Sequence, residues 1–139
     1  MSNPAENVLI DSGKPLIFRV TNPENVGLLP PENRLGNAVR SSVRSLTVFQ
    51  KEALVVSSRT GLGWRFASDE GPYLMGHDVA PAPLAYLTTG MVSSYMSEIL
   101  ALAKSRNIAI QNIRLVQDNF YTMNGSMLQG TMTAGAKDV

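Results

Sequence analysis

Ser94 and Glu98 stand one helical turn apart in a segment whose apolar spacing reads as a helix, so their side chains share one face. Two outcomes are open for such a pair. Either Glu98 orients a water or takes a proton while Ser94 positions a substrate, or Ser94 bonds back to the Gly90 carbonyl and Glu98 faces solvent or an arginine. His77, the one histidine of the chain, sits in the loop Gly76-His77-Asp78. An imidazole beside a carboxylate suits a general base, or a ligand to a metal shared between chains. The bland alternative is an exposed loop histidine, with Asp78 drawn toward the positive end of the helix that follows. A triad of Ser94, His77 and Asp78 is disfavoured: neighbouring His and Asp side chains rarely face each other, and no Gly-x-Ser-x-Gly elbow is present. Arg65 lies between Trp64 and Phe66 in a strand-like run, which sets its guanidinium opposite two aromatic rings. It is the arginine expected at a substrate, against the alternative of a surface ion pair. Thr89, Met91 and Tyr95 on the helix complete the expected substrate-binding set, and Thr88 and Ser93 could line a polar wall beside them.

Composition narrows the chemistry these residues can do. The chain has 139 residues, the size of one ordinary domain, and is 44% hydrophobic and 17% charged. That is enough apolar material for a core and too little charge for a disordered polyelectrolyte. Twelve basic residues oppose eleven acidic ones, a net charge of +1 that offers no footprint for nucleic acid or an anionic membrane. Cysteine is absent, which excludes disulfides, thiolate metal sites and a cysteine nucleophile. A single histidine leaves no multi-histidine metal site within the chain, and no cofactor or metal is expected. No window approaches eighteen uninterrupted apolar residues, and the start MSNPAENVLID has no secretion-signal pattern, so a cytoplasmic protein is expected.

The elements that must position the candidates follow from periodicity. From Pro83 to about Arg106, Leu84, Leu87, Met91, Tyr95, Ile99 and Leu102 recur at steps of three and four. The opposite face, with Val92, Met96, Leu100 and Ala103, is also apolar, so the spacing predicts a long buried helix or an oligomer interface. Pro81 and Pro83 mark its start; Lys104, Arg106 and a left-handed Asn107 mark its end. After it, Ile108–Val116 and Met127–Ala134 read as a hairpin turning at Asn124-Gly125, with a bulge near Gln117–Phe120 to bring the apolar faces into phase. Before it, strands are expected around Leu16–Thr21, Leu46–Gln50, Ala53–Arg59 and Leu62–Ala67, with Lys51-Glu52 as a turn. Asn22 to Asn37 reads as a long surface loop. Val39–Ser45 fits a short helix about as well as a strand carrying Arg40, Ser42 and Arg44 on one face. The order is that of an α+β fold, not a repeated βαβ unit.

The run Ser68-Asp69-Glu70-Gly71 through Gly76-His77-Asp78-Val79-Ala80-Pro81-Ala82-Pro83-Leu84, then Arg106-Asn107-Ile108-Ala109-Ile110-Gln111-Asn112-Ile113-Arg114-Leu115, resembles the OsmC/Ohr family. The likeness covers about half the chain, roughly Ala67 to Ala134. It implies an OsmC-like α+β fold with short strands, a central helix and a C-terminal hairpin, intertwined with a partner chain around a pocket between subunits. The family's peroxide-reducing cysteine would fall at Ser94, so the resemblance does not bring thiol peroxidase chemistry with it. Family chains also continue into a second long helix beyond the hairpin. The expectation is therefore a single domain, residues 1–139, completed by a second copy or by another OsmC-like chain that covers the helix.

The function expected on these grounds is that of an OsmC-like subunit of an oligomeric enzyme. It would act on a small, partly apolar molecule between chains, by hydrolysis or proton transfer, with Ser94, Glu98 and His77 as the chemical groups. Two alternatives stand beside it: a non-catalytic subunit completing an active OsmC-like partner, and a ligand-binding stress-response protein.

Overall fold

The computed structural model describes residues 6–32, 36–121, 124–125 and 130–133. In chain order come helix α1 (Val8–Asp11), strands β1 (Ile17–Val20), β2 (Val39–Ser45), β3 (Lys51–Ser57) and β4 (Gly63–Ser68), and helix α2 (Pro83–Ser105). Single 3-10 turns occur at Pro23–Val26 and Pro72–Leu74. The architecture is mixed α+β, and the chain divides into two compact units, Met1–Ala82 and Pro83–Val139.

In the first unit the four strands form one antiparallel sheet in the order β1-β4-β3-β2. Directly opposed residues of antiparallel strands point to the same side. The register pairs Phe18 with Arg65, Arg65 with Leu54, and Leu54 with Ser42. One face therefore carries Phe18, Val20, Ser42, Arg44, Glu52, Leu54 and Arg65. The other carries Ile17, Val39, Val43 and Trp64, all exposed. The Val39–Ser45 segment is a strand and not a helix, every residue of it being matched to one of β3.

The β2–β3 connection reverses the sequence expectation. The turn lies at Leu46–Gln50, and Lys51-Glu52 opens β3. The Leu46 and Thr47 amides donate to the Gln50 carbonyl at 2.8 and 3.1 Å, and Thr47 Oγ1 accepts from the Phe49 and Gln50 amides at 3.2 and 3.0 Å. A hydroxyl that satisfies two turn amides outweighs the strand propensity of Leu46, Val48 and Phe49. Within the long Asn22–Asn37 loop, the turn at Pro23–Val26 packs on the sheet, where a Cβ on Gly63 would stand only 3.0 Å from Pro23 Cβ. Glycine at that strand position lets the turn approach and carries Val26 over the sheet. Leu9, Ala67 and Ala80 form a small core, with Leu16, Leu46 and Val79 packed against it.

In the second unit α2 begins at Pro83, where a missing N–H and a fixed φ suit a first turn. It ends as the sequence indicates. Asn107 is left-handed at φ 54°, the Ile108 amide donates to the Ala103 carbonyl at 2.9 Å, and the Asn107 amide to the Lys104 carbonyl at 3.2 Å. This is a Schellman closure with asparagine in the place glycine most often takes. Asn107→Ala is expected to destabilise the chain by about 1 kcal/mol, because alanine tolerates the left-handed region poorly; Asn107→Gly should fold at least as well, and thermal melts of the pair check both.

Of the two readings of the helix, burial is not met within its own unit: Ala103 is its one buried residue, and Leu84, Leu87, Met91, Tyr95, Ile99, Leu100 and Leu102 are exposed. The reason is geometric, since the segment that follows it in this unit is a single extended strip. That segment, residues 108–121, joins no sheet among the described residues. Ile113, Leu115, Gln117 and Asn119 are half-buried while their neighbours are exposed, an unbroken period of two. The bulge expected at Gln117–Phe120 belongs to a strand pair that extends outside the described residues; within this segment the inward polar groups bond to one another. Gln117 Nε2 donates to Asn119 Oδ1 at 2.8 Å, and Asn119 Nδ2 to Thr88 Oγ1 at 2.8 Å. Half of the second strand of the expected hairpin, residues 127–129 and 134, lies outside the described residues.

Candidate functional site

A concavity of the first unit lies over the charged face of the sheet. It encloses about 520 Å3 and is lined by Phe18, Val20, Val26 and Leu54 as apolar walls and by Lys14, Arg44, Glu52 and Arg65 as charged groups. A pocket of that size with few polar groups on apolar walls has the general form of a small-molecule site. Its floor is a chain of charges spanning three strands. Arg44 Nε and Nη2 both reach Glu52 Oε1 at 2.9 Å, and Arg65 Nε donates to Glu52 Oε2 at 3.0 Å. Arg65 is only 3% exposed. Its Nη1 donates to the Pro15 carbonyl at 2.8 Å, its guanidinium carbon stands 5.6 Å from the centre of the Phe18 ring, and its Nη2 has no acceptor among the described residues. Lys14 Nζ likewise has no partner among the described residues, at the rim. Three cations therefore face one carboxylate.

Glu52 is the hinge of this electrostatic arrangement. Burial opposes its ionisation, but hydrogen bonds from Arg65 and Arg44, with their charges, outweigh that and hold the carboxyl below its usual range. A carboxyl lowered in the folded state contributes stability that is complete above its ordinary value near 4.5 and is lost as the pH falls through the folded value. Acid titration of stability should accordingly steepen below that point in the native chain and flatten in Glu52→Gln, as read from urea midpoints at successive pH values.

A second polar cluster fastens the loops of the same unit. Gln50 and Asp69 are fully buried. Gln50 Oε1 accepts from the Leu9 amide at 3.0 Å, and Gln50 Nε2 donates to Asn7 Oδ1 at 2.8 Å and to Asp69 Oδ2 at 3.4 Å. Asp69 Oδ2 also accepts from the Val79 amide at 3.3 Å, while Asp69 Oδ1 has no donor among the described residues. This knot ties α1, the β2–β3 turn and the loop after β4 to one another. The Asp69 of the SDE-like run is thus a buried structural acid.

The residues singled out from the sequence are placed apart. His77 is exposed in the loop that the Asp69 knot fastens, and neither its imidazole nor the Asp78 carboxylate has a hydrogen-bond partner among the described residues. Ser94 and Glu98 share α2 one turn apart, both exposed, with no side-chain hydrogen bond among the described residues. Arg65 lines the sheet cavity, though most of its donors are committed to Glu52 and to backbone. Met91 and Tyr95 lie on the exposed apolar face of the helix. Thr89 lines an open groove of about 420 Å3 in the second unit, with Leu84, Thr88, Gln117, Asn119, Phe120 and Tyr121. There the Tyr121 hydroxyl lies 3.3 Å from Thr88 Oγ1 and accepts from Asn119 Nδ2 at 3.0 Å. These bonds lower its phenol from the usual value. Ser93 lines a smaller hollow with Val92, Met96 and Leu115.

Lys14, Glu52 and Tyr121 escape a reading of the sequence alone, and Arg44 is passed over there for Arg65. Glu52 and Arg44 meet only through the β2–β3 register, and no local spacing signals it. Among the described residues no three acidic or histidine side chains cluster as a metal site, and no helix is long and apolar enough to cross a membrane. No family model matches the chain, and no curated protein or solved structure is significantly similar to it.

Proposed function

We propose that this chain is an OsmC-like subunit that binds a small, partly apolar molecule in the cavity over its sheet. The observation that carries this reading is the cavity floor, where a nearly buried arginine keeps an uncommitted donor beside apolar walls. Binding without turnover is favoured over catalysis by Ser94, Glu98 and His77, since the side chains of all three are exposed and none is held by a hydrogen bond among the described residues. The exposed apolar face of α2 supports assembly with a second copy or another OsmC-like chain, because a stripe of this size tends to be covered. The resemblance of the loop and helix residues also supports such a partner. A cytoplasmic setting follows from the same reading.

The test is a titration with small amphiphiles followed by amide NMR. Shifts at Val20, Val26 and Leu54 are expected, and Ser42→Trp, which fills the cavity from an exposed edge strand, should abolish them with the fold intact. Binding that survives Ser42→Trp would sink this reading. One observation favours the catalytic alternative of hydrolysis or proton transfer: Tyr121, held by Thr88 and Asn119 in an open groove, has the setting of a proton donor. Turnover lost in Tyr121→Phe, with sheet-cavity binding unchanged, would decide for it.

A further inference from the structure

Resting on that reading of the sheet cavity, we infer that its ligand is a carboxylate with an apolar body, received by Arg65 Nη2 and Lys14 Nζ and packed along Phe18, Val20, Val26 and Leu54. The charge arrangement carries the argument. Glu52 accepts from both arginines and so neutralises one positive charge, leaving the cavity with a surplus that the described residues do not answer. The buried part of that surplus sits on Arg65, whose Nε and Nη1 are fixed by Glu52 and by the Pro15 and Leu16 carbonyls. A guanidinium fastened at two nitrogens presents the third without further loss of side-chain freedom. That preorganisation is what makes an arginine an effective anion receptor.

The walls decide which anion. Four of the nine lining residues are apolar side chains, and the turn that carries Val26 is seated on Gly63 so that it overhangs the sheet. A phosphate is strongly hydrated and would have to shed that water against Val20, Val26 and Leu54. A carboxylate bears a single charge, can accept from Nη2 and from the Lys14 ammonium together, and can leave an alkyl or aryl body on the apolar side. Lys14 at the rim adds a mobile ammonium that can follow carboxylates of differing length.

Isothermal titration with sodium octanoate, octanamide and octyl phosphate tests this, alongside amide NMR. Octanoate is expected to bind at least about tenfold more tightly than octanamide, a difference of about 1.4 kcal/mol. Lys14→Gln should weaken octanoate several-fold and leave octanamide unchanged, and Lys14→Arg should restore the acid. Lys14 is exposed in the connection between α1 and β1, so neither variant threatens the fold. Equal affinity for octanoate and octanamide, with shifts at Val26 and Leu54, would overturn the carboxylate inference and leave the cavity reading standing. Tighter binding of octyl phosphate would overturn it in favour of phosphate. No binding by any of the three, and no shifts at the cavity amides, would remove the cavity reading as well.

Discussion

Arg65→Met is expected to destabilise the first unit by about 3–5 kcal/mol, the range for removing one partner of a buried ion pair. Methionine keeps most of the side-chain volume, so the loss isolates the charge and its hydrogen bonds from packing. Glu52, whose side chain is 12% exposed, would be left with Arg44 alone, and the Arg44 side chain is 70% exposed and screened by solvent. The Pro15 and Leu16 carbonyls would lose their donor at the point where the chain enters β1. Urea unfolding measures the effect. The double variant Glu52→Gln with Arg65→Met should recover part of the loss, because much of it is the penalty of a stranded carboxylate. A loss below about 1 kcal/mol would mean that the pair behaves like a surface contact.

The second large effect is at Gln50. Gln50→Leu retains an apolar body of similar size but strips the Leu9 amide of its acceptor, and Asn7 and Asp69 of a shared donor. Each buried polar group left unpaired costs about 1–3 kcal/mol, so a total of about 3 kcal/mol is expected. The loss should be local in its first expression. Hydrogen exchange at Leu9 should accelerate at denaturant concentrations where the β3 and β4 amides remain protected. Gln50→Glu should be worse than leucine, since it sets a second acidic group against Asn7 Oδ1 and Asp69 Oδ2 with nothing to donate. Unchanged protection at Leu9 in Gln50→Leu would show that the amide network does not hold α1 in place.

The same residues show what a sequence can convey and where it stops. α2 is legible because its evidence is local: Pro83 suits only a first turn, the apolar steps of three and four run without a break, and Asn107 tolerates the left-handed closure. β1 and β4 are legible through their alternation. The Leu46–Gln50 turn is not, because its stabilising contacts are a threonine hydroxyl on two backbone amides and a glutamine buried against distant segments. From the sequence, Lys51-Glu52 looks like the polar apex, whereas Glu52 faces inward and is satisfied by Arg44 and Arg65. Neither arginine is near it in the chain, and only the strand register brings them together. The cavity inherits this difficulty: Arg65 stands out between two aromatics, but the groups that fix it, Glu52 and the Pro15 and Leu16 carbonyls, have no pattern of their own.

The outermost strand β2 has a consequence for how the protein behaves in concentrated solution. Every residue of Val39–Ser45 is exposed, and a strand at the end of a sheet presents a row of backbone groups on which another chain can polymerise. Two copies adding edge to edge, antiparallel about Ser42, would set Arg40 of one directly against Arg44 of the other, twice over. Like charges placed opposite each other repel, so the arginine spacing acts as a built-in brake on fibre growth. Salt loosens that brake, since at about 0.1 M ionic strength charges are already screened over about 10 Å. The chain will therefore keep best in dilute buffer and gel soonest in brine.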